Sequence, residues 1–333
     1  MKKFLCMAVC FLLVFTAGLN VLYADDTASE KVSGTEIESL TAKRKAFIIK
    51  FDTVSSGISG YQVWYSTKKT FSSYVKLNIG ASSSGKKAVK NLKGGKTYYV
   101  KIRTYLREDG EVYYSEWSDV SCVTTCKYLV AIDAGHQKTA DLSKEANGPG
   151  SSVYKCKVTA GATGVYTGLY EYKLNLAVAK KLKKELLGRG YDVYMIRTKN
   201  DVNIANSTRA KMANEKEANI VIHIHANSLD DSSVYGALTM CMTKNSPYNA
   251  DLYKKSYKLS KKIVDSLASK TGTKNLGVTK TTDLTGVNYS EIPVTFVEMG
   301  FMSNEAEDKK MATTSYQDEI AEGIADGIEE YFE

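Results

Sequence analysis

Near Lys127 the apolar residues of this chain change their period. Before that point, from 45 to 126, apolar and aromatic residues fall in short runs at 46–51, 61–65, 98–105 and 121–125. Turn signals such as Ser82-Ser83-Ser84-Gly85 and Gly94-Gly95 separate them. Short strands at that spacing predict a small all-β sandwich. Beyond Lys127, apolar runs at 128–133, 192–197, 219–225 and 294–298 alternate with helical patterns. Leu174, Val178, Leu182 and Leu186 recur every four residues and are closed by Gly188 and Gly190. Leu259, Ile263 and Leu267 mark a further helix, and Ile320, Ile324, Ile328 and Phe332 the last one, with another expected over about 207–217. Alternating strands and helices predict an α/β domain with a mostly parallel sheet flanked by helices. A length of 333 residues fits two such units. Three prolines against 23 tyrosines leave no proline-rich linker and favour strands in the first unit.

Lys2 and Lys3 precede an uncharged, largely apolar run from Phe4 to Ala24, and Asp25-Asp26 opens a polar stretch. That is the pattern of a secretory signal peptide, with cleavage expected after Ala24. The alternative is an uncleaved anchor, because the run is about long enough to span a bilayer. The expected organisation is a signal over 1–24, a polar tether or first edge strand over 25–42, the β domain over 43–126 and the α/β domain over 127–333. Cleavage leaves no membrane segment and removes Cys6 and Cys10. Of the remaining thiols, Cys122 and Cys126 would sit roughly 13 Å apart on one extended strand, beyond disulfide reach. Cys156 and Cys241 are open to pairing, although two small buried hydrophobes is the preferred reading. Export without a disulfide framework points to a Gram-positive cell surface. Loss of Lys2 and Lys3 lowers the net charge from +8 to +6, which would suit anionic wall polymers there but is equally an ordinary soluble surface. The lysines are scattered and accompany no nucleic-acid-binding motif, so nucleic acid is not an expected partner.

All three histidines lie in the α/β unit. His136 follows an apolar strand directly, while His223 and His225 are two apart, hence on one face of an extended strand. In open α/β sheets ligands bind beyond the carboxyl ends of the strands. Glu171 opens the Leu174 helix, and Glu298 closes the run Val294-Thr295-Phe296-Val297. A carboxylate ending a core strand is costly unless paired, hydrogen-bonded or metal-bound. Two imidazoles and a carboxylate with an open fourth position describe a catalytic zinc, with a second carboxylate as acid/base. The spacing alone leaves a second reading open, in which the histidines merely satisfy strand ends.

The flanking residues carry more information. Asp133-Ala134-Gly135-His136, Gly168-Leu169-Tyr170-Glu171 leading into Asn175-Leu176, Arg197-Thr198 with Asp201, Arg209 and Asn214, Ile224-His225-Ala226-Asn227, and Pro293 to Asn304 occur in that order. From about Tyr128 to Phe332 the chain thereby resembles the type-3 zinc-dependent N-acetylmuramoyl-L-alanine amidases. The resemblance implies that His136, Glu171 and His225 bind one Zn2+ and that Glu298 is the catalytic acid/base. The implied substrate is peptidoglycan, cut between N-acetylmuramic acid and L-alanine. Asn227 would hydrogen-bond substrate, and Arg209 would organise the site or pack as an ordinary helix residue. His223 departs from the family's small or polar residue at that position, and is expected to bind substrate or satisfy a backbone group. The polar stretch from Gln137 to Gly164 is expected to be a loop beside the groove.

The first unit resembles a fibronectin type III domain. Gly60-Tyr61-Gln62-Val63-Trp64-Tyr65-Ser66 looks like its third strand, and Ser115-Glu116-Trp117-Ser118 the approach to its last. Leu92 to Val100 looks like its tyrosine corner, with Tyr98 the corner residue. Trp64 and Tyr65 could stack on sugar, but core and cross-strand packing is the preferred reading. The chain is thus expected to be a secreted, wall-associated amidase. The rivals are a catalytically inactive or gated wall-binding or adhesion protein, and another zinc hydrolase of the wall such as a peptidase or a deacetylase.

Overall fold

The computed structural model describes residues 31–333. The expected signal over 1–24 and the start of the polar stretch lie outside the described residues. Eight strands form the first unit: β1 Ile37–Lys43, β2 Ala46–Phe51, β3 Gly60–Ser66, β4 Val75–Gly80, β5 Lys86–Val89, β6 Thr97–Glu108, β7 Glu111–Tyr114 and β8 Ser121–Thr124. They make a three-stranded sheet in the order β1-β2-β5 and a five-stranded one in the order β4-β3-β6-β7, with β8 also paired to β6. β1 pairs antiparallel with β2, so residues 37–42 are an edge strand of the sandwich and the boundary placed at 43 falls at its end.

The alternation of side chains sets what lies between the sheets. Phe47, Ile49, Phe51, Tyr61, Val63, Val100 and Ile102 point inward and are buried. The Tyr98 hydroxyl accepts a hydrogen bond from the Lys93 N–H at 3.0 Å, tying β6 to the loop before it. Tyr65 packs edge-on against Phe47. Trp64, on the other parity, stacks on Tyr74 at 3.7 Å and lies beneath the Lys101 ammonium, so it belongs to an outer aromatic–cation ladder and not to the core.

The second unit runs β9 Leu129–Ala134, β10 Asp141–Ala146, β11 Tyr154–Val158, α1 Glu171–Gly188, β12 Asp192–Met195, α2 Asn206–Glu215, β13 Ile220–Asn227, β14 Ala237–Cys241, α3 Tyr253–Thr271, β15 Asn275–Lys280, α4 Thr285–Asn288, β16 Val294–Phe301, α5 Glu305–Met311 and α6 Thr314–Phe332. Its six-stranded sheet has the order β12-β9-β13-β16-β14-β15. The first four strands are mutually parallel, and β14 runs against β16 with β15 parallel to β14. One face packs α1, α3 and α6 through Leu174, Val178, Leu182, Ile263, Leu267, Ile320 and Ile324. The other packs α2 and α4 through Ala213 and Val287. α3 and α6 touch almost backbone to backbone. A Cβ on Gly323 would come within 2.8 Å of the Leu267 Cα, and one on Gly327 within 2.5 Å of the Ile263 Cα.

Three expectations change. The stretch 137–164 is not a plain loop, because β10 and β11 pair as an antiparallel hairpin within it. The hairpin is fastened on both flanks. Lys155 donates to the Asp283 carbonyl at 2.8 Å, Asn147 to that of Thr282 at 3.0 Å, and the Ser207 N–H to Glu145 at 3.2 Å. The strand expected over 192–197 stops at Met195, which frees Arg197 for the turn described below. Cys122, Cys126, Cys156 and Cys241 are all free thiols, and Cys156 is only half-buried. Among the described residues no helix is long and apolar enough to cross a membrane.

Candidate metal and acid/base site

Three parallel strands build the site row by row on one face of the sheet. Ala131, Val221 and Val294 are neighbours in register and form a buried apolar row. Two residues on, Asp133, His223 and Phe296 form the next row, and beyond it His225 lies beside Glu298. Polar chemistry thus begins where the strands approach their carboxyl ends, as open α/β sheets place it.

His136, Glu171 and His225 converge there. One ligand-type atom from each lies within 4.8 Å of the others, and the cluster could hold a metal ion. His136 sits just beyond β9 with a left-handed backbone, φ 60, a conformation that side-chain-bearing residues adopt mainly where their surroundings compel it. Its Nε2 lies 3.2 Å from Glu171 Oε2 and its Nδ1 2.9 Å from the Thr159 carbonyl at the end of the hairpin. That carbonyl accepts, so Nδ1 carries a proton, and Nε2 is the nitrogen turned to the cluster. His225 turns Nδ1 toward Glu171 Oε1 at 3.1 Å. Its ring sits against Gly135, where a Cβ would come within 2.1 Å of it.

Glu171 is the first residue of α1, where the helix dipole favours a carboxylate. It accepts from the Ala162 N–H at 2.8 Å, the Ala226 N–H at 3.2 Å and Asn175 Nδ2 at 3.1 Å. Burial would raise its pKa, but the hydrogen bonds and charges of His136 and His225 prevail and hold it well below the usual range. Burial lowers the pKa of His225 against the pull of Glu171. Two imidazole nitrogens and one ionised carboxylate are the donor set of a catalytic zinc with an open fourth position. The residues present therefore fit that ion.

Glu298 is different in kind. It is buried in β16, its Oε2 has no hydrogen-bond partner, and burial together with the nearby Glu171 carboxylate pushes its pKa up to about 8. A carboxyl so placed keeps a proton at neutral pH and can both yield and recover it.

Behind the cluster lies a charged scaffold only partly anticipated from sequence. Arg209 on α2 donates Nη1–H to Asp133 Oδ1 at 2.8 Å and to the Ala134 carbonyl at 3.0 Å, and Nη2–H to the His136 carbonyl at 3.0 Å. Arg197 donates to the carbonyls of Ala134, Gly135 and Tyr172 at 2.6, 3.0 and 2.8 Å. Between them the two guanidiniums grip every carbonyl of the Ala134-Gly135-His136 turn. His223 does not serve a backbone group. It is buried with Nδ1 2.9 Å from Asp133 Oδ2, and its Nε2 has no partner. Asn227 is half-buried at the end of β13, with its Oδ1 accepting from the Ser228 N–H at 2.8 Å. Asp133 and Arg197 stand in the quoted motifs without an assigned role, since nothing local in the sequence signals a partner 76 residues away.

Residues 130–330 match the N-acetylmuramoyl-L-alanine amidase family, and that span is more than half of the chain. The chain belongs to this family. Among curated amidases, LytC of Bacillus subtilis is 32% identical over 173 residues, covering 52% of this chain and 33% of LytC. The chain thus spans about a third of that relative's length. An N-acetylmuramoyl-L-alanine amidase of Clostridium difficile superposes with a TM-score of 0.50 at 25% identity, over 62% of this chain and 96% of that one. The apo amidase Ami1 of Mycobacterium abscessus shares the fold, with a TM-score of 0.57 at 23% identity over 62% of this chain and 99% of its own. The family match falls on the α/β unit, which carries His136, Glu171, His225 and Glu298.

Proposed function

We propose that this protein hydrolyses peptidoglycan at the amide joining the lactyl carboxyl of N-acetylmuramic acid to L-alanine. The observation that carries the reading is the His136–Glu171–His225 cluster beside a buried, unpartnered Glu298, inside the segment that matches the amidase family. His136 Nε2, His225 Nδ1 and the Glu171 carboxylate would hold zinc. Zinc bound there supplies Lewis-acid activation of water and polarisation of the scissile carbonyl. A cation held in the cluster would offset the burial and the Glu171 charge that keep Glu298 protonated in metal-free protein; so ionised, Glu298 takes the proton from the attacking water, keeps it in the desolvated pocket, and delivers it to the leaving alanine nitrogen as the C–N bond breaks. Asp133, Arg209 and Arg197 move no proton. They fix the turn that aims His136, and a misplacement of about 1 Å there would cost on the order of a hundredfold in rate. Asn227 and His223 contact substrate.

In the same reading, residues 43–126, with 37–42 as a first edge strand, form a fibronectin type III-like module on a secreted, wall-associated enzyme. Its support is the two-sheet order with β1 at one edge and the hydrogen bond of Tyr98 across its corner. The deciding experiment is hydrolysis of Gram-positive peptidoglycan by the purified chain, with new alanine N-termini read by amine labelling and mass spectrometry. Termini that disappear with chelator and in Glu298→Gln support the assignment. Released acetate, or amines on other residues, would replace it with a deacetylase or a peptidase.

A further inference from the structure

Followed along the chain the lysines look scattered, but divided between the two units they are not. Over 31–126 there are 16 Lys and Arg against 8 Asp and Glu, whereas over 127–333 there are 27 against 26. The excess positive charge therefore belongs to the β unit. Within it, residues 53–107 contain 11 basic side chains and no acidic one. That span supplies β3, β4 and most of β6, which are neighbours in one sheet.

The outer face of those strands is built around Trp64, which stands directly across from Lys76 on β4 and from Lys101 on β6. Both ammoniums lie over its ring, at 5.7 and 4.8 Å. Lys101 also lies 4.3 Å from the Trp117 ring and 4.9 Å from that of Phe71. Phe71 reaches this position with a left-handed backbone, φ 53, which a bulky residue keeps only where its surroundings hold it. Lys68, Lys69 and Lys76 are exposed, and Tyr74, stacked on Trp64, is 44% exposed. The ion pairs of the β unit engage Lys31, Lys43, Arg44 and Lys50. Among the described residues Lys68, Lys69, Lys76 and Lys101 form none, and Glu116 beside Trp117 pairs with none of them. Burial and the neighbouring Arg103 charge both disfavour the Lys101 ammonium, and an arriving anion would offset the second.

We propose that this face of β4, β3 and β6 binds a phosphodiester polymer of the cell wall, with Lys68, Lys69, Lys76 and Lys101 meeting its phosphates. The inference rests on the wall-associated reading above and gives the β unit its part in it. Charge complementarity selects an anionic chain, because the face offers several cations and no acid within the span that builds it. Ammoniums act as point charges and take a phosphate from many directions, whereas a planar carboxylate is better matched by a guanidinium fork. The rings select against nucleic acid. Trp64 is already covered by Tyr74 and the two ammoniums, so it holds charges in place and does not stack on a base. Holding Lys76 and Lys101 over rings before the polymer arrives reduces the entropy lost on binding.

The test is calorimetric binding of the purified full chain to soluble poly(glycerol phosphate), with cleavage of a soluble muramoyl peptide assayed alongside. Binding should weaken as salt is added. The combined variant Lys68→Gln, Lys69→Gln, Lys76→Gln changes only exposed positions and should lower affinity by about tenfold or more. The same change at Lys86, Lys87 and Lys90, exposed on or beside β5 of the other sheet, should leave affinity within about twofold. Lys101→Gln should weaken binding and Lys101→Arg should restore it. All of these variants should cleave the muramoyl peptide at the parent rate. Equal losses in the two triple variants would overturn the proposal, since net charge and not this face would then govern binding. So would equal affinity for a single-stranded oligonucleotide with as many phosphates, or for peptidoglycan stripped of phosphate. Failure to bind poly(glycerol phosphate) overturns it whether or not the peptide is cleaved. A chain that binds the polymer and cleaves no peptide loses the amidase reading and keeps this one.

Discussion

Two neighbouring buried carboxyls are driven to opposite protonation states by what surrounds them. Glu171 has three N–H donors and two imidazoles and is ionised. Glu298 has none of these and carries a pKa near 8. The contrast has a consequence for metal-free protein. Unfolded glutamate releases its proton at about pH 4.3, whereas the folded chain holds the Glu298 proton up to about pH 8. Between those limits the native state binds more protons than the unfolded one, so this group makes stability fall as pH rises. Glu298→Gln has no such proton to lose. In chelator, urea midpoints should show it gaining stability over the parent from pH 5 to pH 8, by on the order of a few kcal/mol at about 1.4 per pKa unit. An equal difference at both pH values would contradict the assigned burial of the charge. The Asp133–Arg209 pair is a separate liability. Asp133→Asn leaves a buried guanidinium without its counter-charge and should cost about 3–5 kcal/mol in the same measurement.

At the scale of elements, α3 and α6 depend on Gly323 and Gly327 for their approach. Gly327→Ala should lower stability by roughly 1–3 kcal/mol through overpacking, although alanine is the better helix former. An unchanged urea midpoint would mean that α6 slides away at no cost. The long helices were readable because their apolar residues repeat at helical spacing and all face one core, as Leu174, Val178 and Leu182 do. Strands β9, β13 and β16 were readable as apolar runs bounded by polar turns. The β10–β11 hairpin was not. Its strands, Asp141–Ala146 and Tyr154–Val158, are a two-stranded ribbon with little buried on either side, so no alternation of apolar residues marks them. The residues of the cluster stand in flanking motifs legible in the sequence, but the pairings Asp133–Arg209 and Asp133–His223 join residues 76 and 90 apart and follow only from the packing of α2 and β13 against β9.

Asp192 is the carboxylate on which the contacts between the two units centre. Asp192, at the start of β12, accepts from Lys43 Nζ at 2.8 Å and from the Arg44 N–H at 2.8 Å, while Arg44 also reaches Glu217 at 3.5 Å. Asp192→Ala should separate one calorimetric transition into two while leaving cleavage of a soluble muramoyl peptide unchanged; a single transition at the original temperature would show that the other contacts suffice. The direction of that junction matters beyond its strength. Lys43 and Arg44 grip the amino ends of the parallel strands, whereas His136, His225 and Glu298 stand at or near their carboxyl ends. Six residues of β9 hold the two apart, roughly 20 Å of extended chain. Whatever holds the β unit therefore meets the α/β unit from behind, and the His136–Glu171–His225 cluster faces away from it.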